Sequence, residues 1–174
     1  MSKKSKSRKK PIITDTSPLL LLLIGSYDKN TIKNFKRLSK YDSDDYDLLF
    51  QLVATRKVMV TPQVLAEVSN FAKELKNNPD TFSEIIKINK SLLEKIYEKY
   101  IHKDNILASQ ELFKFGFTDA SIIVAAKEND ALVLTDDFPL WGICKRNGLN
   151  VKHMSEIQGI KEIFKQKDYT FKSY

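Results

Sequence analysis

The chemistry this chain offers lies in carboxylates placed at the corners of predicted elements. Asp15 stands in ITDTSPL, Glu67 in VTPQVLAEV, Asp119 in GFTDASIIVAA, and the Asp136-Asp137 pair in LVLTDDFPL. Two carboxylates about 4 Å apart repel by roughly 4 kcal/mol at an effective dielectric of 20, so gathering four in one cleft requires protonation or a cation. Mg2+ or Mn2+ suits an all-oxygen donor set, and Mg2+ keeps waters and shares phosphate oxygens with a substrate. Softer ligands are scarce. Cys144 is the lone cysteine, and His102 and His153 are the only histidines. An intramolecular disulfide and a Cys/His zinc cluster are therefore excluded. Ser17 has no neighbouring histidine to activate it as a nucleophile, and His153 reads as structural.

Taken singly, each acid also has a structural role open to it. Asp15 suits an Asx turn, Asp119 a helix dipole, Asp136-Asp137 the cap of the next helix, and Glu67 a solvated helix border. What distinguishes them is where the surrounding elements put them. Pro11 to Thr14 reads as a short buried strand, followed by a helix with Ser17-Pro18 at its start and Gly25 as its stop. Asn30 to Lys40 and Ser43 to Thr55 read as helical, the second with Asp44-Asp45 suited to an N-terminal dipole. Val58 to Val60 is a second strand. A helix then starts at Thr61-Pro62 with the stripe Val64, Val68, Phe71, Leu75, and Glu67 falls about 100° from its centre, at the border of the buried face.

Asp80 to Lys103 gives a long charge-laced helix, followed by a short one to Phe115. Gly116 breaks the chain, Thr118 caps a helix that begins with Asp119, and Ala131 to Thr135 is a strand closed by Asp136-Asp137. Trp141 to Asn147 is helical, Val151 to His153 is a last short strand, and Ser155 caps a final helix to Gln166. Alternating strands and helices predict a three-layer α/β/α sandwich with a mainly parallel sheet. Ligands of such sheets gather outside the carboxyl ends of the strands, where Asp15 and Asp136-Asp137 fall and where the helices carrying Glu67 and Asp119 begin.

The length of 174 residues fits one domain, taken as residues 11–174 behind a basic tail of residues 1–10. The formal charge is +7, but the first ten residues hold six Lys/Arg and no acid, which leaves 23 basic against 22 acidic side chains elsewhere. The body is nearly neutral. The tail, too polar to order itself, is expected to contact nucleic acid by counterion release or to serve only for solubility. The apolar run Leu19 to Ile24 is too short for a signal peptide or a membrane helix, so a cytoplasmic protein with no membrane partner is expected.

The order Asp15, Glu67, Asp119, Asp136/Asp137, in the phrases ITDTSPLL, VTPQVLAEV, FTDASIIVAA and LVLTDDFPLW, resembles the PIN-domain nucleases over roughly residues 11–155. The resemblance implies a Mg2+- or Mn2+-dependent endoribonuclease acting through metal-activated water. Such enzymes occur as toxins of toxin–antitoxin pairs and as RNA-processing or defence nucleases, and the products implied are 5′-phosphate and 3′-hydroxyl ends. On matching positions Asp15, Glu67 and Asp119 take the first three acidic places, and Asp136 and Asp137 compete for the fourth. Thr135 and Ser17 match supporting hydroxyl residues. The partners implied are RNA, an antitoxin or other protein, and a second copy of the chain.

One departure from the compact members of the family is a helical insertion at roughly residues 77–115, between the second and third acids, suited to a lid, a dimer arm, a partner clip or plain packing. Two rivals use similar acids. A haloacid-dehalogenase-type phosphatase would need a second Asp where Ser17 stands, and a receiver domain would place its acidic pair early. A non-catalytic RNA- or protein-binding domain of the same fold is the remaining alternative. Phe138, Trp141, Tyr169, Phe171 and Tyr174 are aromatic residues able to stack on bases, although aromatics at helical spacing more often serve a core.

Overall fold

Strand β1 (Ile12–Thr14) is buried along its whole length, and the sheet is built outward from it. In the computed structural model of the protein the described residues are 9–72 and 79–171. β2 (Val58–Val60) and β4 (Leu132–Thr135) flank β1, with β3 (Tyr97–Glu98) outside β2 and β5 (Val151–His153) outside β4. All pairings are parallel: Ile12 stands opposite Val58 on one side and Leu132 on the other, and Thr135 opposite His153. The chain therefore runs out from β1 through β2 to β3, then returns past β1 to β4 and β5. The order reverses between β1 and β4, which makes the crevice at their carboxyl ends the topological switch point of the sheet.

Helices cover both faces, as the uniform burial of β1 and β4 requires. Helix α1 (Thr16–Tyr27) contacts α2 (Ser43–Ala54), α3 (Pro62–Ala72) and α4 (Pro79–Leu93), and every residue from Thr16 to Gly25 is buried. A helix apolar all round belongs in a core. Truncating Leu21, fully buried, to Ala would cost about 2–5 kcal/mol. α5 (Lys103–Leu107) packs on α6 (Leu112–Asn129), which also lies against β1 and β4. α7 (Phe138–Arg146) contacts β4 and β5, and α8 (Met154–Phe171) contacts α2. Among the described residues no helix is long and apolar enough to cross a membrane.

Several expectations need correction. α1 is capped by Asp15, whose side chain accepts from the Thr16 N–H, and not by Ser17. It also runs through Gly25. A Cβ on Gly25 would come within 2.2 Å of the Tyr46 ring, so this glycine admits a neighbouring helix and does not stop its own. The stretch Asn30 to Lys40 forms two short 3-10 turns, Lys29–Asn34 and Lys36–Leu38.

The expected helix from Asp80 to Lys103 ends at Leu93, and the segment after it supplies the edge strand β3. Its two residues are exposed, so they carry none of the apolar alternation that marks a strand. The insertion is thus partly sheet: Lys99 N–H donates to the Val60 carbonyl at 2.7 Å. The break expected at Gly116 is present: its φ of +82° and ψ of −178° are not helical and divide α6 into two helical pieces across a kink. α7 begins at Phe138, three residues before expectation, and α8 at Met154, where Ser155 bonds the His153 ring at 2.8 Å. Leu75 of the α3 stripe lies outside the described residues.

Candidate active site at the sheet's switch point

Asp15 ends β1 and begins α1, so one carboxylate serves both elements. Its Oδ1 accepts from Thr16 N–H at 2.5 Å, and its Oδ2 accepts from Thr135 Oγ at 2.7 Å. Thr135 is the last residue of β4, so this second bond spans the switch point. The same hydroxyl accepts from the Asp137 N–H at 3.0 Å, while Asp137 Oδ1 caps α7 by accepting from Leu140 N–H at 2.8 Å. Across the crevice, Thr16 Oγ donates to Glu67 Oε2 at 2.8 Å. Glu67 is partly buried on α3. Thr135 at a strand end and Thr16 at a helix start thus link Asp15, Glu67 and Asp137 in one hydrogen-bonded set.

Asp119 completes the group from α6. Its first turns are tied to the start of α3: the buried Ser121 hydroxyl donates to the Thr118 carbonyl at 2.7 Å and lies 2.9 Å from Thr61 Oγ. Burial first, and then the charges of Asp15, Asp137 and Glu67, push the Asp119 carboxyl up to about 7. Asp15 is also raised, by burial first, with the Glu67 charge adding. The bonds from Thr135 and Thr16 and the Arg37 guanidinium pull the other way. A cluster of mutually repelling acids with no ion pair of its own is a site for protons or for an added cation. Among the described residues none of these four acids takes part in a salt bridge.

Asp136 has a different fate from its neighbour. Asp136 lies in the bend that follows β4 and turns into a separate polar knot. Lys40 Nζ stands 2.7 Å from its Oδ1, and His153 Nε2 4.0 Å. The Tyr41 phenol, buried beside Asp136, is pushed up by burial first and by that carboxylate next. Asp136 therefore pins the Lys40–Tyr41 segment to the end of β4, and Asp137 is the member of the pair that acts on Asp119.

Ser17 is buried and accepts from Arg37 Nε at 2.9 Å. The guanidinium also lies 4.0 Å over the Phe71 ring, a cation–π contact that fixes it at the rim of the cleft. Sequence reasoning missed Thr16, Arg37 and the Thr61–Ser121 contact. Thr16 could have been found as the hydroxyl beside a cap, but Arg37 sits in a turn that carries no motif. The four acids share an electrostatic basin, yet among the described residues no three His, Cys, Asp or Glu side chains converge closely enough to hold a metal ion.

No family model matches this chain, and no curated protein does. Among solved structures it is similar to a domain of a functionally unknown protein from Methanocaldococcus jannaschii DSM 2661, with 17% identity and a TM-score of 0.44, covering 83% of this chain and 91% of that one.

Proposed function

We propose that the protein is a metal-dependent endoribonuclease of the PIN type, hydrolysing RNA phosphodiester bonds at the switch point between β1 and β4. The observation that carries this reading is the hydrogen-bonded set at the switch point, in which the Thr135 hydroxyl joins Asp15 to the Asp137 backbone and Thr16 bonds Glu67, with Asp119 raised by burial first and then by the charges of these acids. The donor set is all oxygen, the chemistry that Mg2+ or Mn2+ takes, but among the described residues its side chains stand too far apart to close on one ion without moving inward. Asp15, Asp119 and Asp137 would hold the cation, with Glu67 beside them. When bound, such a cation lowers the pKa of a water and polarises the phosphodiester.

The chain's own residues prepare for this. Thr135 and Thr16 fix the two oxygens of Asp15, Thr16 also orients Glu67, and Asp119, raised by burial and by its acidic neighbours, would lose its proton on cation binding. Asp136 has a supporting role through Lys40 and His153. Lys9 and Lys10 approach at the amino end of β1, where Lys9 bonds Thr55 and Lys10 pairs with Asp130. Residues 1–8 of the basic arm lie outside the described residues, and in this reading the arm contributes to RNA binding through counterion release. A cytoplasmic setting suits the buried free thiol of Cys144. An antitoxin or other protein, and a second copy of the chain, are the further partners of this reading.

A non-catalytic RNA- or protein-binding domain is the second reading, favoured by the open spacing of the carboxylates. Calorimetry with Mn2+ and cleavage of labelled RNA by the purified protein separate the two. We expect stoichiometric Mn2+ uptake and cleavage, both lost in Asp119→Asn and in Asp15→Asn with the fold intact. Retained Mn2+-dependent cleavage in either variant would sink the assignment.

A further inference from the structure

Two exposed aromatic residues adjoin acids of the site along the chain. Phe138 follows Asp137 directly and is 62% exposed, and Phe117 stands two residues before Asp119 and is 56% exposed. A single exposed apolar side chain needs no explanation, but Phe138 is built in. Its ring stacks on His153 with centroids 3.8 Å apart and planes 15° apart. His153 is buried, with its Nδ1 bonded to Ser155 at 2.8 Å and its Nε2 4.0 Å from Asp136. Trp141 meets the edge of Phe138 at 84°. One face of Phe138 is thus fixed from beneath, and the ring stands open beside Asp137.

From this placement we infer that Phe138 is a stacking platform for a nucleobase next to the scissile phosphate. The inference rests on the nuclease reading of the acids. A pre-oriented ring gives up little freedom on binding, and every base has a face to offer it. Within a duplex those faces are already covered by neighbouring pairs, so a paired strand would have to unstack first.

Trp141, the single tryptophan of the chain, lies 6.4 Å from Phe138 between ring centroids and serves as a fluorescence reporter. The full chain is titrated in EDTA, where binding is read without cleavage, using a uridine oligoribonucleotide, its abasic counterpart and its duplex with a complement. We expect the unpaired strand to bind and change Trp141 emission, and the other two to bind more weakly. Phe138→Leu should weaken binding of the unpaired strand by roughly tenfold, and Phe138→Tyr should restore it. Equal affinity of Phe138→Leu and the native protein, equal binding of the abasic strand, or no binding of the unpaired strand overturns the inference. Cleavage with Mn2+ is scored separately. Its absence with stacking intact removes the nuclease reading alone, and its presence with no Phe138 effect removes this inference alone.

Discussion

Among the described residues two clusters of acids are each built around one buried aspartate, Asp45 and Asp15, and they are solved in opposite ways. At the start of α2, Asp42 and the fully buried Asp45 are met by Lys161 from α8, with Nζ at 2.6 Å and 3.3 Å. Burial acts against the Asp42 charge, but the bonds from Lys161 and from backbone N–H groups outweigh it and lower its pKa. The lysine is raised in turn by the two aspartates. At the switch point, Asp15, Glu67, Asp119 and Asp137 have hydroxyl and backbone donors and one arginine at the rim, and the Asp15 and Asp119 carboxyls rise. The first cluster carries its cation in the sequence and so is finished as structure. The second is left short of positive charge, and the proposed metal would supply what it lacks.

This contrast can be broken at its strongest point by removing the internal cation. Lys161→Met leaves Asp45 buried without its partner and should cost about 3–5 kcal/mol in urea unfolding. A loss near zero would mean that the lysine does not neutralise the pair. In the switch-point cluster the hydroxyl that joins the two strands is the sensitive element. Thr135→Val should weaken Mn2+ binding by about 10–100-fold in calorimetry, since it frees one oxygen of Asp15 and the Asp137 N–H.

The two clusters should also respond to pH with opposite signs. A carboxyl whose folded pKa is raised contributes stability at low pH that is lost as pH rises through the folded value. For Asp119 that window runs from about 4 to about 7. Asp42, lowered, contributes stability above its unfolded pKa and loses it as pH falls through the folded one. Metal-free Asp119→Asn should therefore be more stable than the native protein at pH 8 by roughly 2 kcal/mol, after discounting the shift for partial solvent screening, and should show no gain at pH 4. Thermal melts at both pH values check this, and Mn2+ should remove the difference at pH 8. The smallest effect sharpens the Asp136–Asp137 distinction: Asp136→Asn should leave Mn2+ affinity nearly unchanged, while Asp137→Asn lowers it.

The chain's local chemistry made much of this legible. The apolar run of α1, the alternation of strands and helices, and the placement of acids at strand ends were readable because they depend on residues next to one another. β3 was not. Its pairing with β2 is a backbone contact between Tyr97–Glu98 and Met59–Val60, which leaves little mark on side-chain pattern in an exposed two-residue strand. Gly25 was misread for a similar reason, because the ring that requires a glycine there belongs to Tyr46, on another helix.

By itself the sequence determined which carboxylates exist, that neither sulfur nor a histidine cluster could replace them, and that a parallel sheet would bring strand ends to one edge. Only the tertiary structure decided how they divide. It sent Asp136 to Lys40 and Asp137 toward Asp119, set Thr135 across the switch point, and gave Asp45 a lysine 116 residues away. The reason is physical: backbone preference is set within a few residues, but the energy of a charge depends on how much water the whole fold removes and which charges it brings near.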